Sequence, residues 1–278
     1  MMNHARPVGP LLREWRQRRR LSQLDLACEA DISTRHLSFL ETGRAQPSGD
    51  MVLHLSERLD IPLRERNVLL VAAGFAPVFP ERPLDDPALR AARRAVDLVL
   101  KGHEPYPALA VDRHWTLIAA NAAVDRLMAG AEPSLLAPPV NVLRLALHPK
   151  GLAPRTANFA EWRAHLLARL RHQIDVTADA VLIDLFKELR GYPAPPANGS
   201  DTDGIADAPP ARPDLDRYAG VAVPFRYRTD AGVLSFFSTT TVFGTPVDVT
   251  LAELAIEAFY PADTTTTEAL RALGAAAG

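Results

Sequence analysis

Hydrophobic positions in the first 75 residues recur every three or four places, which is the spacing of α-helices that bury one face. Each short stretch is bounded by residues that start or stop helices. Ser22 and Ser33 occupy N-cap positions, while Gly43 and Gly74 occupy positions where a helix would end. The pattern predicts five short helices, of which the last three cover residues 34–42, 51–59 and 63–73.

Beyond the first hundred residues the pattern includes continuous apolar runs of strand length. Runs over 106–111 and 115–120 flank a polar turn, which predicts a β-hairpin. Runs over 221–228 and 233–243 predict a second hairpin, and a run over 249–260 predicts a further strand after it. Helical spacing predicts helices over 86–101, 158–173, 178–189 and 266–275, and a short helix that ends at Met128.

A proline-rich stretch at 191–219 differs in composition from its surroundings. Six prolines lie between residues 193 and 213, interleaved with Asn, Gly, Ser and Asp. Such a stretch has little apolar surface to offset the entropy lost on ordering, so a flexible loop is expected. We therefore predict a helical domain at 1–78, a linker and connecting helix at 79–104, and an α+β domain at 105–278 that contains the loop.

Composition agrees with a folded chain and excludes several classes of protein. Apolar residues make up 47% and charged residues 23% of 278 residues, which is ordinary for globular domains. No apolar run approaches the roughly 18 residues of a membrane span, and no signal-peptide pattern opens the chain. A cytoplasmic protein without membrane contact is expected. Cys28 is the single cysteine, which excludes an internal disulfide, and we expect it to pack between helices.

The net charge of −2 is unevenly distributed along the chain. Residues 1–74 hold 11 Arg against 9 Asp and Glu, and residues 1–20 hold six Arg against one Glu. Residues 75–278 hold 20 basic and 24 acidic residues. A basic end on an acidic body favours an anionic partner for that end, with a solvated helix as the alternative reading of the charge alone.

Spacing between residues 21 and 48 is typical of a helix-turn-helix. Leu26 and Ala27 belong to the first helix, Leu37 and Leu40 to the second, and a short break at 31–33 separates them. Ala27 is small where the two helices would cross. Such a pair places its second helix in the major groove of DNA. A generic five-helix bundle is the alternative.

Residues 8–74 resemble the helix-turn-helix domain of XRE-type (Cro/repressor-like) transcription regulators. The resemblance rests on residues 21–27 and 33–48, which follow the family pattern closely. It implies an all-α, five-helix, lambda-repressor-like domain and a double-stranded DNA operator as partner. It also implies that Arg16 and Glu41 form a partly buried ion pair that holds the helices together.

Residue roles at the DNA follow from helix geometry and from this family pattern. Arg35 is expected to bond guanine through two hydrogen bonds, and Phe39 to contact a thymine methyl group. Gln23 and Arg44 are expected to contact phosphates. Further phosphate candidates are Arg18, Arg19 and Arg20, of which at least one is expected to be only solvated. The complete predicted DNA-binding set is Gln23, Ser33, Thr34, Arg35, Ser38, Phe39 and Arg44.

The rest of the chain resembles the MmyB-like ligand-binding domain. This resemblance rests on residues 115–121, on residues 64–74 and on the apolar β segments near the C-terminus. It implies a PAS-like α+β fold, an antiparallel sheet with helices on one face. It also implies a pocket for an elongated apolar ligand such as a fatty acid.

Candidate ligand residues are aromatic side chains for the walls and polar ones for a carboxylate head group. The wall candidates are Trp115, Trp162, Phe186 and Phe236, and for each of them a plain core position is the alternative. The polar candidates are Asn121, Arg144 and Arg171.

Motifs of nucleotide-binding loops, zinc hydrolases and serine hydrolases are missing from the sequence, so no enzyme, metal site or resident cofactor is expected. The sequence predicts a transcription regulator that binds a palindromic operator as a homodimer, with half-sites about 34 Å apart. Its C-terminal domain is predicted to sense an apolar effector. The alternative is a DNA-binding regulator whose C-terminal domain is a ligand-free dimerisation or protein-interaction module.

Overall fold

The computed structural model describes residues 6–195, 223–230, 232–244, 246 and 248–275. The chain divides into two compact units. The helical unit contains residues up to Asp86 together with 175–177 and 244–252, and the sheet unit contains the remainder. No helix in the described ranges is long and apolar enough to cross a membrane.

Five helices form the N-terminal part of the helical unit, as the sequence predicts. They are α1 (Val8–Arg18), α2 (Gln23–Glu29), α3 (Thr34–Glu41), α4 (Gly49–Arg58) and α5 (Leu63–Ala72). Ser22 and Asp25 form a reciprocal capping box at the start of α2. The Ser33 hydroxyl accepts a hydrogen bond from the His36 backbone N–H at the start of α3. Gly43 and Gly74 have φ of +73° and +89°, the left-handed conformation that ends a helix.

Leucines from all five helices meet in one core. Leu12, Leu26, Leu37, Leu55 and Leu69 are each at most 1% exposed. Burial of apolar faces on this scale is what holds such short helices in place, because isolated helices of this length are marginal in water. The expectation that Cys28 packs between helices is wrong. Its side chain is exposed, because Leu26 and Ala27 occupy the inward positions of α2.

Gly9 allows α1 to approach the end of α3 closely. A Cβ added at Gly9 would lie 2.7 Å from the Glu41 carbonyl oxygen and would also clash with the Leu40 carbonyl. These obstacles are backbone atoms and cannot be relieved by a rotamer change. Glycine is therefore required here by space, and no positive φ is involved.

Residues 248–252 return to the helical unit from the C-terminal half of the chain. The Val249 N–H donates to the Pro80 carbonyl at 2.8 Å, and the Thr250 hydroxyl donates to the Arg82 carbonyl at 2.6 Å. Asp248 is fully buried and lies 3.3 Å from the Arg82 guanidinium. Its carboxylate also accepts from the Thr250 N–H and starts the short helix α12 (Val249–Ala252). The predicted strand over 249–260 is therefore wrong in its first part.

A five-stranded antiparallel sheet forms the centre of the sheet unit. Its strands are β1 (Ala108–Val111), β2 (Leu117–Ala120), β3 (Phe225–Thr229), β4 (Gly232–Val242) and β5 (Ala255–Pro261), in the order β2-β1-β5-β4-β3. Both predicted hairpins are confirmed, since β1 pairs with β2 and β3 with β4. The last strand, β5, lies in the middle because it pairs with both β1 and β4.

Alternate residues of the sheet face two different cores. Ala108, Ala110 and Ile256 pack with α6 (Arg90–Gly102) on one face. Leu109 and Val111 face the larger core, which includes residues of α10 (Phe159–Thr177) and α11 (Ala180–Gly191). The α+β class is confirmed. The expectation of helices on one face alone is wrong, because both faces of β1 are apolar and buried.

Short helices complete the sheet unit. They are α7 (Ala122–Met128), α8 (Pro133–Leu136), α9 (Val142–Leu147) and α13 (Thr264–Ala275). The sequence predicted α7 and α13 and missed α8 and α9, which are too short for periodicity to reveal. Most of the predicted loop at 191–219 lies outside the described residues.

Replacement of Gly9 by alanine is expected to destabilise the helical unit by about 1–3 kcal/mol, the usual range for overpacking against rigid atoms. The matched control is Gly49→Ala, at the start of α4, where the added Cβ would lie 3.6 Å from the Phe75 ring in ordinary contact. Urea denaturation followed by circular dichroism compares the two variants. Equal midpoints would contradict the close approach.

Candidate functional site

The helix-turn-helix arrangement consists of α2, a short turn and α3. Leu26 and Ala27 on α2 and Leu37 and Leu40 on α3 are buried, so the opposite face of α3 is turned away from the core. On that face Arg35 is exposed, and the predicted contact residues Thr34, Ser38 and Phe39 are partly exposed. This is the face that a recognition helix offers to base edges.

Two arginines flank the ring of Phe39. The Arg35 guanidinium carbon lies 5.3 Å from the ring centre, and the Arg44 guanidinium carbon lies 5.9 Å from it. Arg44 is fixed close to the helix because its backbone N–H donates to the Phe39 carbonyl at 2.8 Å. Cation–π attraction of this kind favours positions of both guanidinium groups close to the ring.

A buried ion pair fixes α1 against α3. Arg16 donates from Nε to one carboxylate oxygen of Glu41 at 2.6 Å and from Nη2 to the other at 2.9 Å. A third donation runs from Arg16 Nη1 to the Leu21 carbonyl at 2.7 Å. The hydrogen bond to Glu41 raises the pKa of the Arg16 guanidinium. The side chains are 9% and 1% exposed, so this pair is structural.

The other predicted DNA residues have partners within the protein. Gln23 donates its side-chain amide to Glu41 at 2.8 Å, which adds it to the buried pair. The Ser33 hydroxyl is used in capping α3. Arg19 donates to the Leu59 and Asp60 carbonyls at the end of α4, so its guanidinium holds α1 to the end of α4.

An apolar cavity of about 90 Å³ lies inside the sheet unit. The predicted wall residues Trp115 and Trp162 line it, together with Leu166, Phe225 and Phe259. Other parts of its wall come from β1, α7 and α9, through Leu109, Val124, Leu127, Met128, Val142, Leu143 and Leu145. The only charged side chains at this cavity are Arg169 and Glu257, among the residues that the structure describes.

The structure places the remaining ligand candidates away from the cavity wall. Asn121 is buried and bonds the Leu100 and Tyr106 carbonyls and the Ala108 N–H, which joins α6 to β1. Phe236 is fully buried in the aromatic core, against the rings of Phe225 and Phe259.

Three further candidates lie on helices, and of these Phe186 packs against the core of the sheet unit while Arg144 and Arg171 are exposed. Arg144 forms a two-point ion pair with Glu188, donating from Nε at 2.9 Å and from Nη2 at 2.8 Å. Phe186 is partly buried and lies under the Arg190 guanidinium at 5.7 Å. Arg171 is exposed on α10. None of the three lines the apolar cavity, so neither Arg144 nor Arg171 lies at its wall to pair with a ligand carboxylate.

Arg169 is the cation that sequence reasoning missed, although a signal for it exists. It follows Trp162 by seven residues and Leu166 by three, and therefore lies on the same face of α10. Arg171, two residues later, falls on another face. Glu257 carries a similar signal. It is the one charged residue of β5, and the two-residue period of a strand places it on the same face as Ala255 and Phe259.

A second, polar pocket of about 500 Å³ lies beside the apolar cavity in the sheet unit. Trp115, Arg169 and Glu257 line both. His165 and His172 also line the polar pocket. Burial lowers the pKa of the His165 imidazole, and the charge of Arg169 lowers it further, so His165 is neutral at pH 7.

Comparison with family models assigns both parts of the chain. Residues 12–66 match a helix-turn-helix model, and residues 92–273 match the model of the MmyB-like transcription regulator ligand binding domain. The second match spans more than half of the chain. The chain belongs to the MmyB-like transcription regulators. A search of curated proteins finds no match.

This MmyB-like regulator therefore combines a DNA-binding helix-turn-helix with a ligand-binding domain, as the sequence predicted. Regulator domains of these families are generally not enzymes. The described residues place no group of three or more His, Cys, Asp or Glu where a metal ion would be held. The two family matches indicate recognition of DNA and of a small molecule.

Arg16→Ala is expected to lower the stability of the helical unit by about 3–5 kcal/mol, because Glu41 remains buried without its partner. Thermal denaturation measures this change. The matched control is Arg13→Ala, an exposed arginine on the same helix. Equal melting temperatures for Arg16→Ala and the unaltered regulator would contradict the structural role of the pair.

Arg35→Ala is expected to weaken discrimination between operator and random DNA while the fold is retained. A good two-point contact with guanine contributes about 1–3 kcal/mol of discrimination. Competition binding with both DNAs measures it once an operator has been selected from a random library. Arg58→Ala, an exposed arginine on α4, serves as control. Unchanged discrimination in Arg35→Ala would remove this residue from the base-reading set.

Proposed function

We propose that this protein is a ligand-responsive transcription regulator whose C-terminal domain senses a small molecule with an apolar body. The apolar cavity of the sheet unit is the observation that carries the proposal. Its walls combine two tryptophans with leucines and valines, and a charged pair stands at one side of it. Ligand sites in proteins have this character of apolar walls with few polar groups.

A fatty acid is one candidate, since its acyl chain suits these walls. The cavity of about 90 Å³ is smaller than the cavity of about 150 Å³ that holds benzene in an engineered protein. A long acyl chain therefore requires wall residues to move. Movement of this kind is what a sensor needs, because a ligand shifts a conformational equilibrium only through different affinities for the two states.

We propose further that the regulator binds a palindromic operator as a homodimer. Two-fold symmetric proteins read two half-sites about 34 Å apart. An apolar patch on the helical unit supports a protein partner: Val68, Val71, Phe75 and Val78 are each at least 40% exposed. Phosphate contacts supply much of the affinity for DNA, so binding should fall steeply with added salt.

Mass spectrometry of the purified protein tests the sensor function first. Native and denaturing spectra are compared, and any released molecule is extracted with organic solvent and identified. A stoichiometric small molecule that changes operator affinity when it is stripped or restored would support the proposal. A protein without any such molecule, whose operator affinity no added apolar compound changes, would favour the ligand-free interaction module.

Val142→Phe is expected to fill the cavity and to remove both the bound molecule and the ligand response, with operator affinity retained. Val142 is partly buried and lines the cavity, so a larger ring there occupies ligand space. The matched control is Val181→Phe on α11, where the side chain is 52% exposed. Retention of the bound molecule by Val142→Phe would show that it lies elsewhere.

A further inference from the structure

The apolar cavity and the polar pocket share part of their lining. Arg169 and Glu257 line both spaces, and Trp115 lines both as well. Arg169 donates to the two Glu257 carboxylate oxygens at 2.6 and 3.2 Å. Its guanidinium carbon lies 5.0 Å from the centre of the Trp115 ring. Displacement of this guanidinium would join the two spaces.

The two partners of this ion pair differ in burial. Glu257 lies on β5 between β1 and β4, its side chain is 6% exposed, and it accepts a hydrogen bond from the Thr240 hydroxyl at 2.8 Å. Arg169 reaches the carboxylate from α10 on a long side chain that is 27% exposed. Arg169 also donates to the Thr240 hydroxyl at 2.9 Å, but it is the more exposed partner and the one whose side chain can turn toward solvent.

Exchange of the cation and exchange of the anion have different costs. A cation that takes the place of Arg169 leaves Glu257 paired, while the arginine turns toward solvent. An anion that takes the place of Glu257 leaves a buried carboxylate without a partner, which is strongly unfavourable. The ion pair therefore favours a ligand with a positive head group over one with a carboxylate.

Charges around the polar pocket point the same way. Its lining includes two arginines, Arg113 and Arg169, against three acidic residues, Asp112, Glu253 and Glu257. Arg113 lies 3.4 Å from Asp179, a fourth carboxylate beside these two arginines, and 3.8 Å from Glu253. With His165 neutral, this surrounding favours a cation at the mouth of the apolar cavity.

We propose that the two spaces form one site for a small amphiphile with a cationic head group. The ammonium or a similar group replaces the Arg169 guanidinium on Glu257, and the apolar part enters the cavity beyond Trp115. This assignment rests on the proposed sensor function and specifies its ligand class. The cavity of about 90 Å³ limits the apolar part to a few carbons unless other walls move.

Three six-carbon probes test the head group on the full-length protein: n-hexylamine, n-hexanol and hexanoate. Their apolar parts are the same, so calorimetric titration isolates the effect of charge. We expect hexylamine to bind at least about tenfold more tightly than hexanoate, a difference of roughly 1.4 kcal/mol. Hexanoate binding as tight as hexylamine, or tighter, overturns the proposal, and so does failure of hexylamine to bind.

Glu257→Gln keeps the shape of the anchor and removes its charge. In this variant the preference for hexylamine over hexanoate is expected to fall to about threefold or less. The matched control is Glu188→Gln, whose ion pair with Arg144 is exposed and lines neither space. An unchanged preference in a folded Glu257→Gln variant places the amine elsewhere and overturns the assignment.

Chemical rescue supplies a test that does not depend on Glu257→Gln. Arg169→Ala leaves Glu257 buried without its cation, so a lower melting temperature is expected. Hexylamine should restore part of the lost stability, because its ammonium takes the vacated position, while hexanol and hexanoate should not. Equal effects of all three probes on Arg169→Ala would contradict the cation exchange.

The outcomes distinguish this proposal from the sensor function itself. If the probes show no preference for a cation, yet the purified protein releases an anionic or neutral molecule that alters operator binding, the sensor function stands and the head-group assignment fails. If hexylamine binds Glu257 and rescues Arg169→Ala without any change in operator affinity, the site stands and the sensor function fails.

Discussion

A buried carboxylate that a two-point arginine contact must satisfy is found in each of the two compact units. Glu41 is held by Arg16 in the helical unit, and Glu257 is held by Arg169 in the sheet unit. A buried carboxylate without a partner is so unfavourable that the surrounding elements must hold the arginine in place. In the helical unit this constraint sets α1 against α3, and the exposed face of α3 follows from it.

The two ion pairs differ in what surrounds them. Arg16 also bonds the Leu21 carbonyl, and Glu41 also accepts from Gln23, so that pair is saturated by the fold and adjoins packed side chains. Arg169 and Glu257 are both bonded to the Thr240 hydroxyl, and they line both the apolar cavity and the polar pocket. The first pair therefore stabilises an arrangement for DNA, whereas the second stands where a small molecule can compete for it.

Local signals in the sequence predicted much of the fold. Ser22, Ser33, Gly43 and Gly74 act through backbone groups within a few residues, so the bounds of the helices they limit were predicted closely. Both hairpins were predicted for the same reason. The central position of β5 was not, because pairing between distant strands leaves no local mark in a single sequence.

Candidate sites were predicted less well, for reasons of geometry. Trp115 and Trp162 line the cavity. Phe236 is also a large aromatic residue in an apolar segment, but it belongs to the packed core. Hydrophobicity identifies what is buried and does not separate a cavity wall from a filled interior. Among the arginines of α10, helical phase distinguishes Arg169 from Arg171, and that phase has meaning only once the inward face is known from Trp162 and Leu166.

The segment between β4 and β5 limits how the helical unit can be exchanged between related regulators. Its residues 248–252 pack on Pro80 and Arg82 within the helical unit, so the polypeptide leaves that unit after Asp86 and returns to it at 175–177 and again at 244–252. A chimaera that transplants residues 1–86 alone would leave Asp248, which is fully buried here, without the Arg82 that accompanies it. Exchange of DNA specificity between relatives must therefore carry residues 244–252 together with residues 1–86, or confine itself to the exposed face of α3.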